Sequence, residues 1–222
     1  MTETPDVSII DYGINNLKSV SKAFEKIGKT VAIIDTPEAV MQARCLILPG
    51  IGAFGDGMVG LEERGLIAPI KDKVAAGTPI LGICLGMQML FTESEEFGLH
   101  AGLDLIPGRV IAFKKEEVHG EKIPHMGWNG LETTGIPWNG TLLEKTEAGT
   151  DVYFVHSFYP DAVAKEDVLA TATYSGKRFA AVVTRGNVTG TQFHPEKSGV
   201  DGMEMLRQFC RINSIGRNDD GK

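Results

Sequence analysis

Cysteine is scarce in this chain: three residues among 222, Cys45, Cys84 and Cys210, odd in number and widely spaced. A disulfide framework needs paired thiols, so the count suits a reducing compartment and predicts a cytoplasmic protein. Long apolar runs are missing too. No stretch of about 18 or more uninterrupted apolar residues occurs, so no membrane span is expected. Residues 1–6 are polar and carry Glu3 and Asp6, with no cationic start leading into an apolar stretch, so no secretory signal is expected. Positive charge is in deficit. The 22 Lys and Arg stand against 29 Asp and Glu, a net charge of −7, and no basic cluster overrules that average, which argues against nucleic acid as a partner. Internal repeats and low-complexity linkers are also absent, and nothing marks a domain boundary. The chain is 42% hydrophobic and 23% charged, proportions that give 222 residues one sizeable core. We expect a single domain over residues 1–222, with the polar stretch 214–222 as a frayed tail.

What is present divides the chain in two. In the first half, short apolar runs at 7–10, 31–34 and 46–48 alternate with helix-like segments. Leu17, Val20, Phe24 and Ile27 recur at helical spacing before Gly28, and Thr36-Pro37 reads as a cap and first-turn residue. A further helical stretch ends near Ala76-Gly77, ahead of an apolar run at 79–83. Such alternation predicts a parallel sheet covered by helices on both faces. In the second half, strand-like pieces at 110–113, 152–159, 168–173, 179–183 and 188–193 are separated by Gly, Asn, Asp and Ser, which predicts antiparallel additions to the same sheet. A last helix is expected over residues 203–212. Met87, Met89, Leu90 and Phe91 read as a core-facing helix surface.

Cys84 stands out from the other two cysteines by its frame, Gly82-Ile83-Cys84-Leu85-Gly86-Met87-Gln88, directly after an apolar run. Glycines two residues on either side let a strand turn sharply into a helix and present the thiol at the turn. The helix that follows points its amino end at the sulfur, which favours thiolate. Far downstream lies Thr191-Gln192-Phe193-His194-Pro195-Glu196. Residues two apart in an extended segment share a face, so His194 can meet the sulfur with Glu196 behind it. The pattern is that of a Cys-His-Glu acyl-transfer site, in which an imidazole base predicts activity falling in acid as His194 protonates. The loop Pro49-Gly50-Ile51-Gly52-Ala53-Phe54-Gly55 also follows a strand end and can aim backbone N–H groups at an oxyanion. No Gly-Lys-Ser/Thr follows it, as a phosphate-binding loop would require. Cys45 and Cys210 read as inert core residues. His125 and His156 stay open between structural and catalytic roles, as Trp128, Tyr153 and Lys197 do between ordinary surface and interface. No other Cys/His cluster has metal-ligand spacing, so no metal or cofactor is assigned.

These residues resemble the class I glutamine amidotransferases. The segments Asp11-Tyr12-Gly13, Pro49-Gly50-Ile51-Gly52, Pro124-His125-Met126-Gly127-Trp128-Asn129 and Phe193-His194-Pro195-Glu196-Lys197-Ser198-Gly199, in this order, narrow the resemblance to the glutaminase subunits of imidazole glycerol phosphate synthases. It implies a flavodoxin-like α/β fold and hydrolysis of L-glutamine to glutamate and ammonia. Cys84 would form the thioester, His194 would move the proton, and Glu196 would orient the imidazole. Gly50, Ile51, Gly52 and Leu85 would supply the oxyanion backbone, while Gln88, Ser157 and Phe158 would hold glutamine. A (β/α)8-barrel cyclase partner would receive the ammonia in histidine biosynthesis, with Asn15, Trp128 and Lys197 as interface candidates. Where the family commonly has Gly-Met-Gly-Asn after Asp11-Tyr12, this chain has Gly13-Ile14-Asn15-Asn16. That change leaves open a paralogous glutaminase feeding a sugar-nucleotide amidating partner. An inactive binding module on the same fold is a further alternative, opposed by retention of all three triad residues.

Overall fold

Strands at the centre of a parallel sheet are covered on both faces and so read as unbroken apolar runs. The computed structural model, which describes residues 4–13, 16–116, 118, 121–161 and 164–216, uses three of the four runs of the first half in that way and sets the run at 31–34 on the sheet edge. In chain order it contains β1 (Val7–Ile10), α1 (Leu17–Lys26), β2 (Val31–Ile34), α2 (Pro37–Gln42), β3 (Leu46–Gly50), α3 (Phe54–Glu63), α4 (Ile67–Ala75), β4 (Ile80–Cys84), α5 (Leu85–Met89), β5 (Phe91–Ser94), β6 (His100–Ala101) and β7 (Ile106–Ala112). There follow β8 (His125–Gly130), β9 (Glu132–Thr133), β10 (Asp151–His156), β11 (Phe158–Asp161), β12 (Val168–Tyr174), β13 (Lys177–Arg185), β14 (Val188–Thr191) and α6 (Gly199–Ile212).

The main sheet has the order β2-β1-β3-β4-β14-β13-β12-β9. Its first five strands are mutually parallel and the other three pairings are antiparallel. Strands β1, β3, β4 and β14 are buried at every residue. Period-two alternation sends their side chains to opposite faces. Val7, Ile9, Ile47, Leu81 and Ile83 join Val20 and Phe24 of α1 and Met205, Leu206 and Phe209 of α6. Ile10, Leu46, Leu48 and Ile80 join Val40 of α2, Leu61 of α3, Ile70 of α4 and Met87 of α5. Helices thus cover both faces, as the pattern required. Thr36 caps α2 by accepting a hydrogen bond from Ala39 N, with Pro37 in the first turn.

The structure departs from the expectation in four places. Only part of the second half extends the main sheet; β11, β7, β5 and β6 form a separate four-stranded sheet and β10 pairs with β8 alone. The run at 152–159 breaks at Ser157 into β10 and β11, which belong to different sheets, and Pro160, lacking an N–H, sits on the edge strand β11. The helix after Cys84 ends at Met89, so Phe91 begins a strand although it is fully buried. The last helix starts a turn early, at Gly199, because that first turn exposes Val200 and offers no apolar face to read.

Residues 214–216 do not fray. Ile215 packs into the core and its carbonyl accepts a hydrogen bond of 2.7 Å from Lys29 Nζ. The rest of the expected tail, 217–222, lies outside the described residues. No helix is long and apolar enough to cross a membrane among those described.

Candidate active site

Parallel strands end on one rim, so the carboxyl ends of β3, β4 and β14 bring Gly50, Cys84 and the segment leading to His194 together. In register, Gly50 lies directly across from Cys84. Cys84 itself has φ 54° and ψ −109°, a strained conformation for a residue with a Cβ. Its glycine frame is sterically required. A Cβ on Gly86 would lie 1.7 Å from the Leu48 carbonyl oxygen, and one on Gly82 would lie 2.7 Å from the Gly86 carbonyl oxygen. Strand β4 and helix α5 therefore meet at a turn that only this glycine spacing permits.

His194 and Glu196 converge as their spacing suggests. Nδ1 of His194 lies 2.8 Å from Glu196 Oε1, and both side chains are completely excluded from solvent. Burial pushes the imidazole pKa down, but the Cys84 sulfur and the Glu196 carboxylate outweigh it and raise it to about 9. Burial conversely pushes the Glu196 carboxyl up, and His194 with Asn16 overcomes that, leaving it below its usual value. Nε2 of His194 is buried and makes no hydrogen bond of ordinary geometry among the described residues. The Cys84 sulfur is the group that acts on it. At neutral pH the imidazole holds its proton beside a nucleophile. This corrects the expected acid limb: His194 is already protonated well above the acid range, so its protonation does not set a decline in acid.

The thiol opens into a cavity of about 460 Å³ lined by Ile51, Gly52, Leu85, Gln88, Ser157 and Phe158, among others. Every residue expected to supply oxyanion backbone or hold glutamine, apart from Gly50 behind it in β3, thus borders one space. Gly52 has φ 115°, a glycine conformation. The Tyr12 hydroxyl donates to the Pro49 carbonyl at 2.6 Å and fills the space where a Cβ on Gly50 would sit. The Ser157 carbonyl accepts from Phe113 N, and the Phe158 carbonyl from Gln88 Nε2 at 2.9 Å. Lys197 lies exposed at the mouth. Trp128, 56% exposed, meets Tyr153 edge-on across the β8–β10 ribbon at 6.0 Å. Asn15 lies outside the described residues.

Four contributors escaped the sequence reading. Asn16 looks like a helix cap, yet its side chain makes no cap and instead donates to Glu196 Oε1 at 2.8 Å. Glu96, at the end of Glu93-Ser94-Glu95-Glu96, is the one carboxylate bordering the cavity among the described residues. It is buried, accepts from Phe54 N at 2.7 Å, and burial raises its pKa. Tyr12 and Gln192 lie inside quoted motifs with no role attached. The two histidines left open by the sequence pair with each other. His125 Nδ1 lies 3.1 Å from His156 Nε2, and burial lowers their pKa values to about 4 and about 3, so both are neutral at pH 7. Cys45 and Cys210 are buried core thiols with raised pKa values, that of Cys210 about 12.

The arrangement can expose a thiolate, deliver a proton from an imidazolium and surround a small polar substrate. The family described as "Glutamine amidotransferase class-I" matches residues 8–212. The chain is 47% identical over 210 residues to "Imidazole glycerol phosphate synthase subunit HisH 1" of Legionella pneumophila strain Paris, covering 93% of this chain and 99% of that one. It is 50% identical over 209 residues to the HisH subunit of Syntrophotalea carbinolica, covering 91% and 98%. Among solved structures, one titled "Crystal structure of glutamine amidotransferase" superposes with TM-score 0.72 at 18% identity, covering 94% of this chain and 99% of that one. PurLQS from Thermotoga maritima gives 0.71 at 20%, with the same coverages. These two likenesses concern the fold.

Proposed function

Since the chain belongs to the class I glutamine amidotransferase family, we propose that it is the glutaminase subunit of an imidazole glycerol phosphate synthase. In this reading it hydrolyses L-glutamine and passes ammonia to a (β/α)8-barrel cyclase in histidine biosynthesis. Identity of 47–50% to HisH subunits across more than nine-tenths of each chain supports the pathway. The chemistry rests on one observation, a solvent-excluded His194–Glu196 pair acting on a thiol held at positive φ.

Glutamine enters with its side-chain amide toward Cys84 and its α-ammonium toward Glu96, the acid bordering the cavity. The thiolate attacks the amide carbon, and the oxygen becomes an oxyanion facing backbone N–H groups at Gly52 and Leu85. The His194 imidazolium then gives its proton to nitrogen as the C–N bond breaks, and ammonia leaves. The neutral imidazole takes a proton from water, whose oxygen attacks the thioester and releases glutamate. Glu196 holds the ring throughout, and Asn16 holds Glu196. Trp128, Lys197 and the half-exposed Ile51 border the cavity mouth or the adjoining ribbon, where we place the cyclase. The free cysteines suit a reducing cytoplasm.

The test is glutamine consumption by the chain alone and with a cyclase subunit and its nucleotide. Turnover that rises strongly in the complex, with imidazole glycerol phosphate formed, is expected. Turnover indifferent to the cyclase would rule out the subunit assignment.

A further inference from the structure

A backbone carbonyl can only accept a hydrogen bond, and this fixes the polarity of every side chain linked to it. Phe158 O accepts from Gln88 Nε2 at 2.9 Å, so that amide turns its nitrogen inward. The same nitrogen lies 3.1 Å from one atom of the Gln192 amide, which must then be the oxygen, Oε1. The other end of Gln192 is therefore its NH2 group, and that end lies 3.8 Å from Cys84 Sγ. His156 anchors the chain from the opposite side. Its Nδ1 lies 2.8 Å from Phe158 O and must donate, leaving Nε2 to accept from His125 Nδ1. Both rings are neutral at pH 7, so the network carries direction without net charge.

The geometry points to Gln192 as a further catalytic residue, one that donates an amide N–H to the Cys84 sulfur and favours its thiolate. Two contacts compete at that sulfur. The Val155 carbonyl, 3.8 Å away, can accept only from a protonated thiol. The Gln192 amide donates, so it gains when the sulfur is charged. The balance shifts toward thiolate: the S–H bond breaks, its electron pair stays on sulfur, and the proton passes to water while His194 keeps its own. Gln192 is well placed for this. It is fully buried, its backbone N–H is held by Ala181 O, and its amide cannot turn over without setting two N–H groups against each other at Gln88. Gln88 is then a positioning residue for the nucleophile. The titratable groups acting on the sulfur are His194, with Glu196 behind it, and the Tyr12 phenol, which burial keeps protonated. All remain in the variants below.

The catalytic meaning of this donor rests on the proposed glutaminase reading, but its test needs no glutamine. The full chain is alkylated with iodoacetamide between pH 5 and 10, and the rate is read by mass spectrometry on the peptide containing Cys84. Cys45 and Cys210, with raised pKa values, do not compete. Losing one N–H donor to an ion should reduce the thiolate population roughly tenfold. Gln192→Met, which keeps the length and removes the donor, should therefore raise the pH midpoint by about one unit. Gln192→Glu, which replaces the donor by an acceptor of the same shape, should raise it further and serves if the methionine variant does not fold. Gln88→Met should shift it the same way by less, since the Gln192 amide is then free to turn. An unchanged midpoint in folded Gln192 variants overturns the donor, and an unchanged midpoint in Gln88→Met alone overturns the relay. Glutamine turnover of the parent chain with its cyclase, measured in parallel, reports separately on the glutaminase reading.

Discussion

Replacing Glu196 by glutamine removes a charge from the centre of the site while keeping its outline. In the native chain, one carboxylate oxygen accepts from both His194 Nδ1 and Asn16 Nδ2, each at 2.8 Å. In Glu196→Gln the amide oxygen can keep both contacts. Turning the amide over would set its NH2 against the NH2 of Asn16, so the oxygen-inward orientation is favoured and the imidazole keeps its tautomer. What is lost is the attraction between carboxylate and imidazolium. A hydrogen bond to a charged partner contributes roughly 1.5–3 kcal/mol, which is about a 10- to 150-fold fall in kcat if it acts fully on thioester hydrolysis, where the neutral imidazole takes a proton from water and its positive charge develops. The same energy should lower the His194 pKa from about 9 by about one to two pH units.

The sign follows from the direction of each shift. His194 is raised above its ordinary 6.5, so its contribution to stability is complete below pH 6.5 and is lost as pH rises through about 9. Glu196 is depressed below 4.5, so its contribution is present above pH 4.5 and is lost as pH falls through its lowered pKa. The pair is therefore strongest in the neutral range, where the proposed enzyme works with an imidazolium as its acid. Steady-state kcat of the complex at saturating glutamine, measured from pH 6 to 10, reads both effects. The parent should lose activity on the alkaline side near pH 9, and Glu196→Gln should lose it one to two units earlier from a lower plateau. A variant within twofold of the parent at neutral pH, with its alkaline limb still near pH 9, would show that the Glu196 charge does not hold the imidazolium.

Gly86→Ala would place a Cβ 1.7 Å from the Leu48 carbonyl oxygen, a backbone clash that no rotamer relieves. We expect a loss of more than about 4 kcal/mol, read as a collapse of the urea midpoint; a midpoint near the parent's would show that the turn can open. Glu96→Gln removes the carboxylate that we assign to the α-ammonium, and KM for glutamine should rise roughly ten- to a hundredfold with kcat little changed. An equal fall in kcat with KM unmoved would mean that Glu96 acts on the turn at Phe54 instead.

The parallel strands of the first half were legible because each is a short, mostly apolar run between polar or glycine-bearing turns, a purely local signal; β14, expected as an antiparallel addition, instead pairs parallel with β4. The β8–β10 ribbon was not. Strand β8 carries Gly127 and Gly130 and only its first residue is buried, so it has neither the composition nor the alternation of a strand. The Phe91 boundary was hidden for the opposite reason, since helix α5 and strand β5 run together as one apolar stretch and periodicity cannot divide so short a segment.

Sequence distance alone does not explain what was missed in the site. Cys84 and His194 stand as far apart as Cys84 and Gln192, yet the first pair was read and the second was not. Cys84 advertises itself through flanking glycines and His194 through a carboxylate two residues on, so each end has a local mark of its own. Asn16, Glu96 and Gln192 have none. Asn16 and Gln192 each gain a role from a contact with a partner 180 and 108 residues away, Glu96 is held at the cavity by Phe54 N, 42 residues away, and each resembles a commonplace residue until folded. Asparagine before a helix suggests a cap, glutamate in an acidic run suggests solvent, and buried glutamine suggests nothing. Neutral or solitary side chains that orient a reacting group without bearing its charge leave no local trace, because their function is a direction, and direction exists only once the strands have set their register.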